Sequence, residues 1–186
     1  MPDRQVFLEV ITRSMPGRAL DLAACHASLM ELSGDNWTQT ILMDPEPNGS
    51  GMAWAQAQLA DFTPSGRYVW ILDDDDRCIR PTLLNELEAI AENHEPQVIF
   101  MRMDHGRHGV KPDNGHWGKR PVVGHIGCSA FVVRADVWLA CREAWRSARY
   151  QSDYDFAAAV YDHCERRFWH DVVASRITRQ SQGAPV

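Results

Sequence analysis

Hydrophobic positions in the first half of the chain follow two alternating patterns. Four mostly apolar runs, bounded by turn-forming residues, are typical of buried strands: residues 6–11, 37–43, 68–72 and 97–103. Three intervening stretches predict helices, because their apolar residues recur three or four positions apart: residues 18–32, 52–62 and 81–94. This alternation predicts an α/β fold in which a parallel sheet carries helices on both faces.

The pattern is looser after residue 103. Residues 104–118 are rich in glycine and histidine and have no clear period, which predicts a functional loop or hairpin. The remaining pattern predicts strands at 129–134 and 167–174, helices at 135–148 and 152–164, and a polar tail at 175–186. No change in composition is typical of an interdomain linker, so we expect one domain over residues 1–186.

Composition narrows the class of protein. Apolar residues make up 45% of the chain and charged residues 24%, which is typical of a soluble globular protein. The net charge of −6 argues against a nucleic-acid partner or an anionic membrane surface. The longest apolar run, residues 156–161, is too short to span a membrane. The five cysteines are scattered without a Cys-x-x-Cys pair, so we expect a reducing, cytoplasmic location.

Four consecutive aspartates, Asp73 to Asp76, follow the wholly apolar run at 68–72. At an effective dielectric constant of about 20, two like charges about 5 Å apart cost roughly 3 kcal/mol. Divalent cations such as Mg²⁺ and Mn²⁺ relieve this repulsion, because they prefer carboxylate oxygen. The segment therefore predicts a metal site. The alternative is a solvated acidic turn whose partners are Arg77 and Arg80.

Polar residues follow the predicted strands in a recognisable order. Thr12 and Arg13 follow the first strand, Asp44 follows the second, and Leu-Asp-Asp-Asp-Asp at 72–76 follows the third. In this order and spacing, the chain resembles the family 2 glycosyltransferases over residues 6–177. The resemblance implies a GT-A-like fold, with a mixed, mainly parallel sheet and helices on both faces.

The same resemblance implies a division of the chain and a set of site residues. It implies a half that binds a nucleotide-sugar to about residue 103, an acceptor half over 104–174, and a tail over 175–186. The family's donor-binding positions correspond to Thr12, Arg13, Asp44, Asp73 and Asp74. Its Mn²⁺ or Mg²⁺ ligands correspond to Asp73 and Asp75, and the nearest match for a late histidine ligand is His170.

The catalytic base implied by the resemblance is Asp153, in the segment Ser152-Asp153-Tyr154-Asp155. Family members carry Glu-Asp where this chain has Ser152-Asp153. A structural alternative exists, since Ser152 and Asp155 are spaced like a helix N-cap and its capping partner. Acidic residues in a first helical turn also interact favourably with the helix dipole.

Four histidines lie in or beside the irregular segment: His105, His108, His116 and His125. No cysteine accompanies them at metal-site spacing, so the sequence favours an acceptor-binding loop over a zinc site. Trp117, in the same segment, is a candidate to stack on a sugar face.

The function implied by the resemblance is inverting transfer of a sugar from a nucleotide-sugar to a saccharide or another hydroxyl acceptor. Two alternatives remain open. One is a metal-dependent nucleotidyltransferase on a similar sheet. The other is a non-catalytic module that binds a nucleotide or glycan, which is favoured by Ser14-Met15 in place of the family's Asn-Arg pair.

Overall fold

The computed structural model describes residues 5–46, 49–147 and 151–178. Its strands are β1 (Leu8–Ser14), β2 (Trp37–Met43), β3 (Tyr68–Ile71), β4 (Asp76–Cys78), β5 (Val98–Asp104), β6 (Val110–Lys111), β7 (Phe131–Arg134) and β8 (Arg167–Ile177). Its helices are α1 (Ala19–Met30), α2 (Met52–Asp61), α3 (Leu83–His94), α4 (Ala135–Cys141) and α5 (Ser152–His163). Every strand and helix predicted from the sequence is present.

The strands form one sheet in the order β2-β1-β3-β7-β5-β8-β4, and β6 pairs with the end of β5. β1 is parallel to β2 and β3, and β5 is parallel to β8. β7 is antiparallel to both β3 and β5, and β4 is antiparallel to β8. Five strands (β1, β2, β3, β5 and β8) thus run in one direction, and β4, β6 and β7 run in the other. The sheet is therefore mixed, with most of its strands parallel to one another, which confirms the predicted fold class.

Alternate residues of the central strands point into two separate apolar layers. Val10 and Trp70 belong to the layer that contains the buried residues of α1 and α3. Ile11 and Ile71 belong to the layer that contains the buried residues of α2, α4 and α5. Successive side chains of a strand lie on opposite faces, so the wholly apolar central strands supply both layers. Helices on both faces are thereby confirmed.

The last strand is longer than its polar sequence predicted. Residues 175–177, predicted as part of a tail, continue β8 and pair with β4, with Cys78 opposite Ser175 and Asp76 opposite Ile177. The backbone N–H of Ile79 extends this ladder by donating to the carbonyl of Ala174 at 3.0 Å. This pairing joins residues far apart in sequence, and local composition therefore gave no sign of it. Tail residues 179–186 lie outside the described residues.

The helix predicted at 135–148 ends early. It stops at Cys141, and a 3-10 turn, Arg142–Ser147, follows it. The tighter turn buries Trp145, whose ring stacks on Phe156 with centroids 4.6 Å apart. Packing of one large aromatic side chain thus overrides helical periodicity here, and residue 148 lies outside the described residues.

The irregular segment contains the hairpin that its composition predicted. β6 pairs antiparallel with β5, and the 3-10 turn Gly106–His108 lies between the two strands. Within the described ranges, no helix has the length and apolar character that crossing a bilayer requires.

Candidate functional site

The carboxyl end of β1 lies beside the carboxyl end of β3. The N–H of Leu72 donates to the carbonyl of Ile11 at 3.0 Å, and that of Asp74 donates to the carbonyl of Arg13 at 3.3 Å. The parallel ladder thus continues past β3 into the four aspartates. Ligands of open α/β sheets bind at this edge, which makes its side chains the candidate site.

Arg13 and Asp73 form a two-pronged ion pair. The guanidinium donates from Nε to Oδ1 at 2.7 Å and from Nη2 to Oδ2 at 2.5 Å. Burial alone would raise the pKa of Asp73, but the Arg13 charge and its hydrogen bonds hold that pKa below the ordinary value. The Cys128 thiol completes the group and donates to Asp73 Oδ2 at 3.4 Å. The pair keeps about a fifth of each side chain exposed, so it remains accessible from the crevice.

Asp74 faces the opposite way, into the protein. It is fully buried, accepts a hydrogen bond from Ser14 Oγ at 2.8 Å and lies 2.8 Å from Arg18 Nη2. Burial raises the pKa of Asp74 to about 6. Thr12 is fully buried as well, and its hydroxyl accepts a hydrogen bond from Gln39. Both residues were predicted to bind the donor, and both side chains are buried and hydrogen-bonded within the protein.

Asp75 is the more accessible carboxylate of the segment, with 24% of its side chain exposed. It pairs with Arg18 at 3.0 Å, while its backbone carbonyl accepts hydrogen bonds from Thr178 N at 2.8 Å and Thr178 Oγ1 at 2.7 Å. Burial and the charge of Asp73 together raise the pKa of Asp75. The charge of Asp73 therefore acts directly on Asp75.

The counter-charges of the acidic segment are not those that the sequence suggested. Arg77 donates to the backbone carbonyls of Asp74 and Asp76, and Arg80 binds Glu86. The carboxylates pair instead with Arg13 and Arg18. Arg77 and Arg80 do not pair with the aspartates because the chain turns directly into β4 after them. Arg13 and Arg18 do, because β1 and the turn after it face the acidic segment.

Asp76 was not singled out from the sequence beyond its place in the run. It is 3% exposed, and burial together with the charges of Asp73 and Asp75 raises its pKa well above the ordinary value. A hydrogen bond with Ser129 works against that rise. Three mutually repelling carboxylates, Asp73, Asp75 and Asp76, therefore occupy the crevice end of β3.

The predicted base, Asp153, lies in the first turn of α5. Burial raises the pKa of Asp153, while the Arg13 charge acts in the opposite direction. Its charge acts on Arg13 and Cys128, so it lies within electrostatic range of the Arg13–Asp73 pair. Among the described residues, no cation comes within 4 Å of its carboxylate.

The capping interpretation of this segment is wrong. Helix α5 begins at Ser152, its N-cap position is Gln151, and no side chain caps it. The Ser152 hydroxyl is buried and accepts a hydrogen bond from Gln56 Nε2 at 2.6 Å, which ties α5 to α2. The helix start therefore holds Asp153 in position through a contact between two helices.

Asp44, predicted to contact a nucleotide base, organises the loop after β2. Its carboxylate accepts hydrogen bonds from the N–H of Glu46 at 2.9 Å, the N–H of Ser50 at 2.6 Å and the Ser50 hydroxyl at 2.7 Å. These bonds hold its pKa below the ordinary value against the opposing effect of burial. One lone-pair direction of the carboxylate remains for a ligand. Asn48, in the same loop, lies outside the described residues.

His170 lies on β8, and its ring contacts a different carboxylate. Its Nε2 is 2.7 Å from Glu86, which also binds Arg80 and Thr82. Asp73, Asp75 and His170 do not form a set of ligand atoms within 4.8 Å of one another in the part of the chain described. The structure thus brings Arg13, Asp73 and Asp75 together at the carboxyl edge of the sheet, with Asp153 within electrostatic range of Arg13 and His170 on a different carboxylate.

The donor set of the crevice fits a hard divalent cation. Asp73 and Asp75 are partly exposed. The charge of Asp73 disfavours ionisation of Asp75, and both charges disfavour ionisation of Asp76. A bound cation relieves this repulsion. Mg²⁺ is commonly held by one or two carboxylates together with phosphate oxygens of a ligand. The sequence analysis did not identify Arg18 as part of this site. The available signal was that a basic residue lies in the turn directly after β1.

No family model matches the chain, and no curated protein matches it in sequence. Solved structures do match. S. aureus TarS 1–349 superposes with a TM-score of 0.68 at 13% identity, over 92% of this chain and 60% of that one. The same protein in complex with UDP-GlcNAc gives 0.68 at 12%, over 95% and 60%. The WbbM bifunctional glycosyltransferase gives 0.52 at 13%, over 91% and 40%.

These neighbours are GT-A-like glycosyltransferases, and the chain shares their fold. The chain spans about 60% of the length of the TarS structures that it matches.

Proposed function

We propose that this chain is a metal-dependent glycosyltransferase that moves a sugar from a nucleotide-sugar to an acceptor hydroxyl with inversion. One observation supports the proposal: the Arg13–Asp73 ion pair lies at the carboxyl edge of the sheet beside Asp75, and its charges act on Asp153 in the first turn of α5. On the same fold, TarS was solved in complex with UDP-GlcNAc, which favours a uridine nucleotide for the first test.

The donor half of the site consists of Arg13, Asp73, Asp75 and Asp44. Asp44 fixes the loop after β2 and offers its remaining lone pair to the base. Arg13 and Asp73 form the wall of the crevice, and Thr12 and Asp74 support that wall from inside the protein. The buried residues thus position the exposed ones.

The metal ligands in this proposal are Asp75 and Asp73, with Mn²⁺ or Mg²⁺ as the ion. A bound cation would neutralise the negative charge that develops on the diphosphate leaving group. Arg18, which pairs with Asp74 and Asp75 in this structure, remains close enough to Asp74 to hold that carboxylate while Asp75 turns to a ligand.

Asp153 is the proposed general base. Its raised pKa makes its carboxylate a better proton acceptor than an ordinary aspartate, and the absence of a close ion pair among the described residues leaves its oxygens available. It would accept the acceptor hydroxyl proton on the side of the sugar opposite the diphosphate. Attack from that side inverts the anomeric carbon.

The test is hydrolysis and transfer with a panel of nucleotide-sugars, in Mn²⁺ and in chelator, by the wild type and Asp75→Ala. We expect Mn²⁺-dependent turnover of at least one donor, and loss of Mn²⁺-dependent donor binding in Asp75→Ala. That variant should stay folded, since it loses one ion pair with Arg18 and also one source of repulsion with Asp73. The exposed Asp35→Ala is the matched control. Wild-type metal and donor binding by Asp75→Ala would refute this assignment.

One observation favours a second candidate, a non-catalytic nucleotide-binding module. Arg13 and Arg18 neutralise the acidic segment without a metal ion. This candidate predicts nucleotide binding that is insensitive to chelator and no turnover of any donor. The same panel measures both, and it also detects a nucleotidyltransferase by release of pyrophosphate.

A further inference from the structure

A second cluster of potential metal ligands lies outside the crevice, in the loop between β6 and β7. Asp113, His116 and His125 offer ligand atoms that all lie within 4.8 Å of one another. His116 Nδ1 is 2.7 Å from Asp113 Oδ1, and His125 Nδ1 is 3.1 Å from Asp113 Oδ2. The two imidazole rings stack with their centroids 3.7 Å apart. All three side chains are half-buried, so an ion can reach them from solvent.

The loop is built to hold Asp113 in place. Oδ1 of its carboxylate accepts hydrogen bonds from the N–H groups of Gly115 at 2.9 Å and His116 at 3.1 Å. The hydrogen bond with His116 is the largest cause that lowers the pKa of Asp113, to about 2. Asp113 is therefore a fixed carboxylate that faces two imidazoles.

We propose that Asp113, His116 and His125 bind a Zn²⁺ ion with three protein ligands and one open position. Nitrogen and carboxylate oxygen are standard Zn²⁺ ligands, with bonds of about 2.0–2.2 Å that separate neighbouring ligands in a tetrahedron by about 3.3 Å. The measured separations of 2.7 and 3.1 Å are already close to that value. Zn²⁺ would replace the hydrogen bonds that now join Asp113 to the two imidazoles, and each ring would bind it through an unprotonated nitrogen.

One group opposes this ion. The Lys111 ammonium lies 3.5 Å from His125 Nδ1 and 3.9 Å from Asp113 Oδ2. A cation in the cluster would be repelled by it, so Lys111 must turn toward solvent when Zn²⁺ binds. Removal of the Lys111 charge should consequently strengthen Zn²⁺ binding. If Lys111, Asp113 and the histidines formed only an ionic network, the same change would not create affinity for Zn²⁺.

The ion would tie the loop to the crevice. Residues 113–125 would be cross-linked at both ends, and three residues beyond His125 the chain reaches Cys128, which contacts Asp73. The loop is also fastened at its base, where Arg102 Nη1 donates to the carbonyl of Pro112 at 2.8 Å and stacks over Trp117 at 4.2 Å. A sugar cannot stack on the Trp117 face that Arg102 covers. The role of the ion is structural, and the donor metal site is a separate site.

The experiment is titration of the full chain with Zn²⁺ alone, in competition with a chromophoric chelator. We expect one tight site in the wild type and at least a 100-fold loss of affinity in the double variant His116→Ala/His125→Ala. The matched control is His105→Ala/His108→Ala, which removes two histidines of the same segment outside the cluster and should stay within about twofold of wild type. The exposed Asp35→Ala should also bind like wild type.

Two further measurements protect the test from misfolding and from other sites. Lys111→Gln should raise Zn²⁺ affinity at least threefold, and Co²⁺ in place of Zn²⁺ should give the visible absorption of a four-coordinate site. Circular dichroism checks the fold of each variant. The proposal is overturned if wild type binds Zn²⁺ no more tightly than the double variant, if the control pair loses affinity equally, or if Lys111→Gln leaves affinity unchanged. None of these results depends on glycosyl transfer, so the two proposals fail independently.

Discussion

Asp73 and Asp153 face the same guanidinium, yet their pKa values shift in opposite directions. Both carboxyl groups are buried enough that burial is the largest single effect, and it raises both pKa values. Asp73 receives two hydrogen bonds from Arg13, at 2.7 and 2.5 Å, and its pKa falls. Asp153 interacts with Arg13 only through space, and its pKa rises.

The difference teaches how one cation can serve two carboxylates with separate roles. Direct hydrogen bonds to the charged form outweigh the cost of burial, whereas a charge at longer range offsets it only in part. Asp73 is thereby fixed as part of the wall of the crevice. Asp153 keeps its oxygens available, which is what a proton acceptor requires.

The largest expected effect follows from Asp153→Asn. The amide keeps the shape of the side chain and removes its ability to accept a proton, so transfer should fall by roughly 10²–10⁴. Donor and metal affinity should stay near wild type, because Asp73 and Asp75 are unchanged. Single-turnover transfer and calorimetric donor titration measure the two quantities separately.

Asp155→Asn is the matched control, since Asp155 lies in the same first turn of α5 and its charge also raises the pKa of Asp153. It should retain most of the transfer activity. Full activity in both variants would show that the base lies elsewhere and that the resemblance in this half of the chain misleads.

The next largest effect concerns stability. Asp73→Ala leaves Arg13 without its partner, which costs 3–5 kcal/mol in a fully buried pair. This pair is about one-fifth exposed, so we expect a loss of about 1–3 kcal/mol in the free energy of unfolding. Asp153→Ala should cost less than about 1 kcal/mol, because no ion pair is broken. Urea denaturation at pH 7 compares them; equal losses would erase the distinction drawn above.

The smallest effect uses Glu86 as a reference carboxylate far from the crevice. Burial opposes its ionisation, but hydrogen bonds from Arg80, Thr82 and His170 lower its pKa from 4.5 to about 2. A carboxylate with a lowered pKa stabilises the fold above its unfolded pKa, and the contribution disappears as pH falls from about 4.5 to about 2. Glu86→Gln should thus cost about 1–2 kcal/mol at pH 7 and almost nothing near pH 2. Thermal unfolding between those pH values measures the convergence, and parallel curves would contradict it.

The sequence predicted the fold well where local pattern and packing agree. β2 was predicted with its exact bounds, because turn-forming residues on both sides set the ends of its short apolar run. β8 was predicted three residues short, because polar Ser175 belongs to the strand through its partners Cys78 and Met103, which are distant in sequence. The 3-10 turn after α4 depends on where Trp145 packs, and periodicity carries no such information.

The candidate site shows the same division. That Arg13 and Asp73 meet at one edge of the sheet follows from strand order, and a base at Asp153 was implied by the family resemblance. Which arginine pairs with which carboxylate does not, because Arg77 and Arg80 are closer in sequence and Arg13 and Arg18 are closer in space. His116 and His125 were noted in the sequence, but their contact with Asp113 was not predicted, since an irregular loop has no period from which to predict contacts.

The sheet order has a consequence for the synthesis of the chain. β7 inserts between β3 and β5, and β4 pairs with β8, so strands of the two halves interleave. The backbone of Asp75 is held by Thr178, which is 103 residues later in sequence. On the ribosome, the nascent first half would expose the edge of β3 and an unanchored acidic segment until β7 and β8 emerge. The crevice can therefore be assembled only after translation of Thr178, as one late event that closes both halves together.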